Sequence, residues 1–171
     1  MRKVNLFVLA VVAVSLVVAL AWAGGDYGSK KKGNDLVGTW ALVSLHLEQD
    51  GKETEFYGSN PKGLSILDSN GHFARVITRS DLPKFASNNR EAGTPEENKA
   101  VVRGSIAYFG TYSYNAADKS CTFHVEASTF PNWAGADQKR VCTLAGDELR
   151  ETNPVASTGT GKSRIVWKRV P

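Results

Sequence analysis

From about residue 36 onward the chain is a series of short runs in which apolar and polar positions alternate, the period-two pattern of strands with one buried face. The first run, residues 37–45, is β-branched and aromatic around Gly38 and Trp40 and follows a Gly/Lys/Asp-rich tract. Asp50-Gly51 predicts a hairpin turn into a short strand over residues 53–57, which the Gly58-to-Gly63 stretch breaks. Residues 64–67 and 72–79 predict a hairpin around Asp68-Ser69-Asn70-Gly71. Further strands are expected over residues 105–114, 121–127, 138–144 and 148–152, and a last one over 163–169, rich in Arg and Trp. About nine strands at short, regular spacing predict an all-β fold: a single up-and-down antiparallel β-barrel of about eight to ten strands. The first and last strands would pair, so that no edge is left open.

Residues 80–99 break the pattern, being polar and punctuated by Pro83, Gly93 and Pro95. Thr94-Pro95-Glu96-Glu97 is a capping box with proline at the first helical position, so one short helix should run from about Pro95 to Arg103 and end near Gly104. A lone helix in such a chain would cover or plug one end of the barrel. Residues 156–163, Ala-Ser-Thr-Gly-Thr-Gly-Lys-Ser, satisfy a relaxed phosphate-loop pattern. That motif needs a helix after it to hold the phosphates, and here a strand pattern follows, so the stretch reads as a turn.

The N-terminus changes the compartment. Arg2 and Lys3, an apolar run from Leu6 to Leu20 and the small-residue site Ala21-Trp22-Ala23 form a signal peptide over residues 1–23, too short in its apolar part for a stable span. Residues 24–35 then read as a flexible leader and residues 36–170 as one barrel domain. The expected location is exported, periplasmic or secreted, with no membrane span after cleavage. Loss of Arg2 and Lys3 lowers the formal charge of +4 by two, and Lys30-Lys31-Lys32 is solvated leader. With no basic stripe interleaved with aromatics, no nucleic-acid partner is expected. Cys121 and Cys142 fall at the start of one predicted strand and the end of the next, positions that are neighbours in an antiparallel pair. In an oxidising compartment they either form a disulfide or stay as two buried thiols.

Gly38-Thr39-Trp40 near the start, with Arg164 and Trp167 in the last strand, is similar to the lipocalin and fatty-acid-binding-protein group. More specific is an ordered set: Asn60-Pro61-Lys62-Gly63, Pro83-Lys84-Phe85-Ala86-Ser87, Gly93-Thr94-Pro95-Glu96-Glu97, the run Ala107 to Tyr112, His124-Val125-Glu126 and Phe130-Pro131-Asn132-Trp133. Together these resemble the bacterial and fungal lipocalin-like domain family across nearly all of residues 36–169. The resemblance implies a small barrel with an internal cavity, and no activity comes with it.

Such a lumen is lined by apolar and aromatic groups with a few placed polar ones. Tyr108, Tyr112, His124, Glu126, Phe130, Trp133 and Arg140 are the candidate ligand-binding residues, and Gly38, Trp40, Arg164 and Trp167 the structural ones, with Arg164 or Arg169 over the face of Trp40. Phe130 to Trp133 forms either a cavity rim or an apolar staple at the barrel end. His124 and Glu126 share a strand face with Thr122, which points either into the lumen or, as such a polar set often does, to solvent. No metal or cofactor is expected: His124-x-Glu126 lacks a third ligand at a telling spacing. The function expected is the binding of a small, largely apolar molecule in the lumen. The alternatives are an enzyme in which Tyr108, His124 and Glu126 assist a proton transfer, isomerisation or cyclisation, and an envelope protein with a filled core.

Overall fold

The structure, a computed structural model, describes residues 36–171; the expected signal peptide and leader lie outside the described residues. Nine strands and one helix follow in the order β1 (Gly38–Gln49), β2 (Lys52–Thr54), β3 (Lys62–Leu67), β4 (His72–Thr78), α1 (Pro95–Gly104), β5 (Ser105–Asn115), β6 (Ser120–Ser128), β7 (Asp137–Ala145), β8 (Glu148–Asn153) and β9 (Lys162–Arg169). Each strand from β3 onward pairs antiparallel with the next, β1 pairs with β3, and β9 returns to β1, so eight strands close an up-and-down barrel. The short β2 is a side branch, pairing only with the far end of β1.

Two irregularities set which residues face inward. On β1 the register slips between Leu42 and Ser44, leaving Val43 as an exposed bulge. The inward phase therefore changes from Trp40 to Leu45 and Leu47, as an inserted residue requires. On β6 the slip against β5 falls at Glu126, beside Gly110. A side chain at Gly110 would overlap the His124 carbonyl oxygen, so only glycine allows the two strands this approach.

The core fills one end of the barrel. Trp40, Trp167, Phe123, Leu67 and Leu149 are fully buried there, each contributing roughly 1.5–3 kcal/mol by leaving water. Trp40 Nε1 donates to the Leu36 carbonyl at 2.9 Å, which ties the segment before β1 across this end. Arg169 stacks on the indole with its guanidinium carbon 4.1 Å from the ring centroid and donates to the Val37 carbonyl at 2.7 Å. Gly38 has a positive φ of 148°, and a side chain there would strike that guanidinium. The Gly38-x-Trp40 pair is thus a mechanical device: glycine makes room for the arginine that covers the tryptophan.

Arg164, the other expected partner of Trp40, lies instead on the outer face and pairs with Glu48 at 2.6 Å. The inward phase of β9 belongs to Ser163, Ile165 and Trp167, which turns Arg164 outward. The second predicted strand is also shorter than expected, since the chain leaves β1 after Thr54. A turn closed by Gly58 N–H donating to the Glu55 carbonyl at 2.8 Å sends Phe56 and Tyr57 over the barrel mouth.

Helix α1 forms with both arms of the capping box in place: Thr94 Oγ1 accepts from Glu97 N–H, and the Glu97 carboxylate accepts from Thr94 N–H. Only Gly104 of the helix is buried. It flanks the mouth and does not plug it. Cys121 and Cys142 form a disulfide across the β6–β7 pair, with Cα atoms 5.9 Å apart and both residues fully buried.

Candidate ligand-binding lumen

The open end of the lumen lies where the turn at residues 55–58, the loop at 154–161 and the short 3-10 helix Pro131–Trp133 meet. The free volume inside is about 40 Å3, space for about two or three water molecules. Its walls are aliphatic from β1, β5 and β9 (Leu45, Leu47, Ile106, Ile165), and Tyr57 covers it. A groove of about 340 Å3 lies outside, walled by Val101 and Val102 of α1 and by Phe130. Phe56, Tyr57, Ile106, Ser157 and Thr158 line both spaces. The Phe56-Tyr57 turn and the Ser157-Thr158 loop are therefore what separates lumen from groove. The stretch that mimics a phosphate loop supplies that rim and leads into β9, with Ala156 N–H closing on the Gly161 carbonyl at 3.0 Å.

Four of the seven candidate binding residues, Tyr108, Tyr112, Trp133 and Arg140, face inward. Tyr108 and Arg140 line the lumen, and Trp133 packs edge-on against Tyr108 with ring centroids 5.2 Å apart. Trp133 is held there by local geometry: Gly135 N–H donates to the Val125 carbonyl at 2.7 Å and Val125 N–H to the Ala136 carbonyl at 3.0 Å, which folds the connector back over β6. Phe130 stacks edge-on against Trp133 and walls the outer groove, so the aromatic connector forms a rim. Tyr112 lies away from the opening, donating its hydroxyl to the Asp68 carbonyl at 2.9 Å.

His124 and Glu126 do not face the lumen. Cys121, Phe123 and Val125 take the inward phase of β6, so period two turns His124 outward, and Glu126 is the exposed residue at the bulge. His124 Nδ1 sits 2.8 Å from Asp137 Oδ1 with half of its side chain in solvent. Tyr108 is thus divided from His124 and Glu126 by the barrel wall, and the acid–base set of the enzyme alternative does not assemble.

The sequence reading missed the groups that Arg140 meets inside. Arg75 from β4 and Glu151 from β8 are each 1 % exposed, and Arg140 2 %. Arg75 forms a fork on the carboxylate, Nη1 to Oε2 at 2.7 Å and Nη2 to Oε1, and its Nε donates to Ser65 Oγ at 2.9 Å. Arg140 Nη1 donates to Glu151 Oε2 at 2.9 Å, and its Nη2 donates to the Tyr108 hydroxyl oxygen at 2.9 Å and to Gln138 Oε1. Phe123 receives both guanidinium groups, Arg75 at 4.2 Å and Arg140 at 5.1 Å from its centroid. A signal for both missed residues was present: Phe73-x-Arg75-x-Ile77 and Leu149-x-Glu151-x-Asn153 each place a charge on an otherwise inward phase.

Electrostatics follow from this cluster. Burial pushes the Glu151 carboxyl up, but Arg75 and Arg140 outweigh it and hold it below the usual carboxylate range. Burial likewise pushes the Tyr108 phenol up, and Arg140 and Arg75 bring it below its ordinary value despite Glu151. Tyr57, over the mouth, has burial and then Tyr108 acting on it with no cation, and its phenol is raised. The lumen therefore grades from an apolar mouth to a cationic floor.

Residues 37–170 match the family model described as a lipocalin-like domain. Among curated proteins, the chain is similar to a 4'-hydroxy-3'-methoxypropiophenone carrier protein of Aspergillus oryzae, 29% identical over 104 residues, which covers 56% of this chain and 94% of that protein.

Proposed function

The chain belongs to the lipocalin-like domain family, and on that premise we propose that it is an exported carrier that holds a small, largely apolar molecule in its barrel. The observation that carries the reading is the aromatic-rimmed opening above a lumen with aliphatic walls and only a few polar groups, Tyr108, Arg140, Asn153 and Ser163 among them. The similar fungal protein is named as the carrier of an aryl ketone, which supports an aromatic ring as the cargo. The closed lumen is smaller than such a ring, so loading requires the Phe56-Tyr57 turn to swing outward and merge lumen and groove. The Cys121–Cys142 disulfide supports export, since such bonds persist in oxidising compartments. Among the described residues no helix is long and apolar enough to cross a membrane.

Native mass spectrometry of the protein recovered from its producing cells tests this. A co-purifying small molecule that Trp133→Ala releases is the expected result. A bare protein mass, together with no uptake from an aromatic metabolite extract, refutes the carrier reading.

A further inference from the structure

The three buried ionised side chains of the lumen do not balance. Arg75 and Glu151 face each other in a two-point fork and form a neutral unit. Arg140 is left over. Beyond its share of Glu151 it meets only neutral groups, the Tyr108 and Gln138 oxygens and the faces of Phe123 and Tyr108. Its Nε is buried with no hydrogen-bond partner among the described residues, as is the Nε2 of neighbouring Gln138. A buried cation without its own counter-ion is strongly disfavoured unless something else meets the charge.

The surplus charge faces the cavity. Arg140 and Tyr108 line the lumen, Asn153 and Ser163 join them there, and no acidic side chain of the described residues does. Tyr108 accepts from Arg140, which leaves its own O–H free to donate inward. We propose that the lumen takes its cargo by an anionic oxygen, a carboxylate or an ionised phenol, seated on Arg140 and Tyr108 with the ring of the molecule between Ile106 and Trp133. The inference rests on the carrier reading and narrows it from an apolar molecule to a small aromatic acid. The two lumen phenols support the placement: the one on the floor is shifted toward ionisation by the arginines, the one over the mouth away from it. The region that favours an anion is local to Arg140.

Isothermal titration of the full chain at neutral pH with 4-methoxybenzoate and with its methyl ester separates charge from shape. The acid should bind at least about tenfold tighter than the ester, the advantage of a charge-assisted pair over a neutral contact. Arg140→Met should bring the acid-to-ester affinity ratio down to about one. Arg140→Lys, which keeps the charge and loses the planar set of guanidinium donors, should retain part of the preference. The wild-type ratio stands as a test even if neither variant folds. Equal binding of acid and ester by the wild type overturns the anion seat and leaves the carrier reading intact. Binding of neither probe, with no co-purifying molecule, overturns both.

Discussion

Glu151 should be the most sensitive single position in the barrel, and the reason is charge count. Replacing it with Gln keeps the volume and removes the only negative charge among the buried ionised groups of the described residues, leaving Arg75 and Arg140 unpaired at 1 % and 2 % exposure. Breaking a buried pair by removing one partner costs about 3–5 kcal/mol, and here one carboxylate serves two partners, so the upper half of that range is expected. Arg140→Met is the opposite case. It leaves the neutral Arg75–Glu151 fork in place and strands only the Tyr108 hydroxyl and Gln138 Oε1, at a cost of about 1–2 kcal/mol. In a domain of this size about 1 kcal/mol moves the melting temperature by about 3–5 °C, so Glu151→Gln should melt about 12–25 °C low and Arg140→Met about 3–10 °C low. Thermal melts by near-ultraviolet circular dichroism, with urea midpoints as a check, give both numbers. Equal losses in the two variants, or a greater loss for Arg140→Met, would refute the charge argument and show that hydrogen-bond count alone governs this cluster.

Acid should act through the same carboxylate. Its folded-state pKa is depressed, so its contribution is complete above the ordinary carboxyl range near 4.5 and is lost as pH falls below it. The stability gap between wild type and Glu151→Gln should be flat from neutral pH to about pH 5 and shrink steadily at lower pH; a gap unchanged down to about pH 3 would contradict this. The Cys121–Cys142 bond closes a loop of sequence separation 21, for which the chain-entropy account expects a loss of about 3 kcal/mol on reduction. A melting temperature that does not move when dithiothreitol converts both residues to free thiols would count against that contribution.

The strand pattern carried most of the architecture because strands such as β5 and β6 keep apolar and aromatic residues on the inward phase (Ile106, Tyr108, Tyr112; Cys121, Phe123, Val125) and mostly polar ones outside. The closing pair shows this well. Trp40 and Trp167 sit on the inward phase of strands that meet across the seam, and that phase is visible in the one-dimensional pattern. What the pattern did not reveal were changes of phase within a strand. The bulge at Val43 moves β1 from even to odd inward positions, and the bulge at Glu126 ends the alternation of β6. Such slips follow from pairing with the neighbouring strand, as at Gly110 and the His124 carbonyl, and a single strand read alone carries no trace of the partner. The second strand fell short for a related reason: Phe56 and Tyr57 satisfy a strand pattern but are drawn over an opening that exists only once the barrel has closed.

The site was legible in its aromatic residues and in Arg140 and misread at His124 and Glu126, and one physical fact explains both. Polar residues were judged by chemical promise, which favoured His124 and Glu126, when the phase of their apolar neighbours was the better guide. Cys121, Phe123 and Val125 exclude His124 from the lumen by the same rule that places Arg75 between Phe73 and Ile77 inside it. A charge on an inward phase is rare because desolvation opposes it, so each instance demands partners, and those partners must be sought on other inward phases. Among the described residues, Arg75, Arg140 and Glu151 are the charges that stand in such positions, and they found one another across β4, β7 and β8. Counting them leaves one positive charge over. A fold needing only a filled core would have been served as well by three apolar side chains of similar volume; a surplus cation beside an aromatic-rimmed opening is better explained by what the barrel is built to receive.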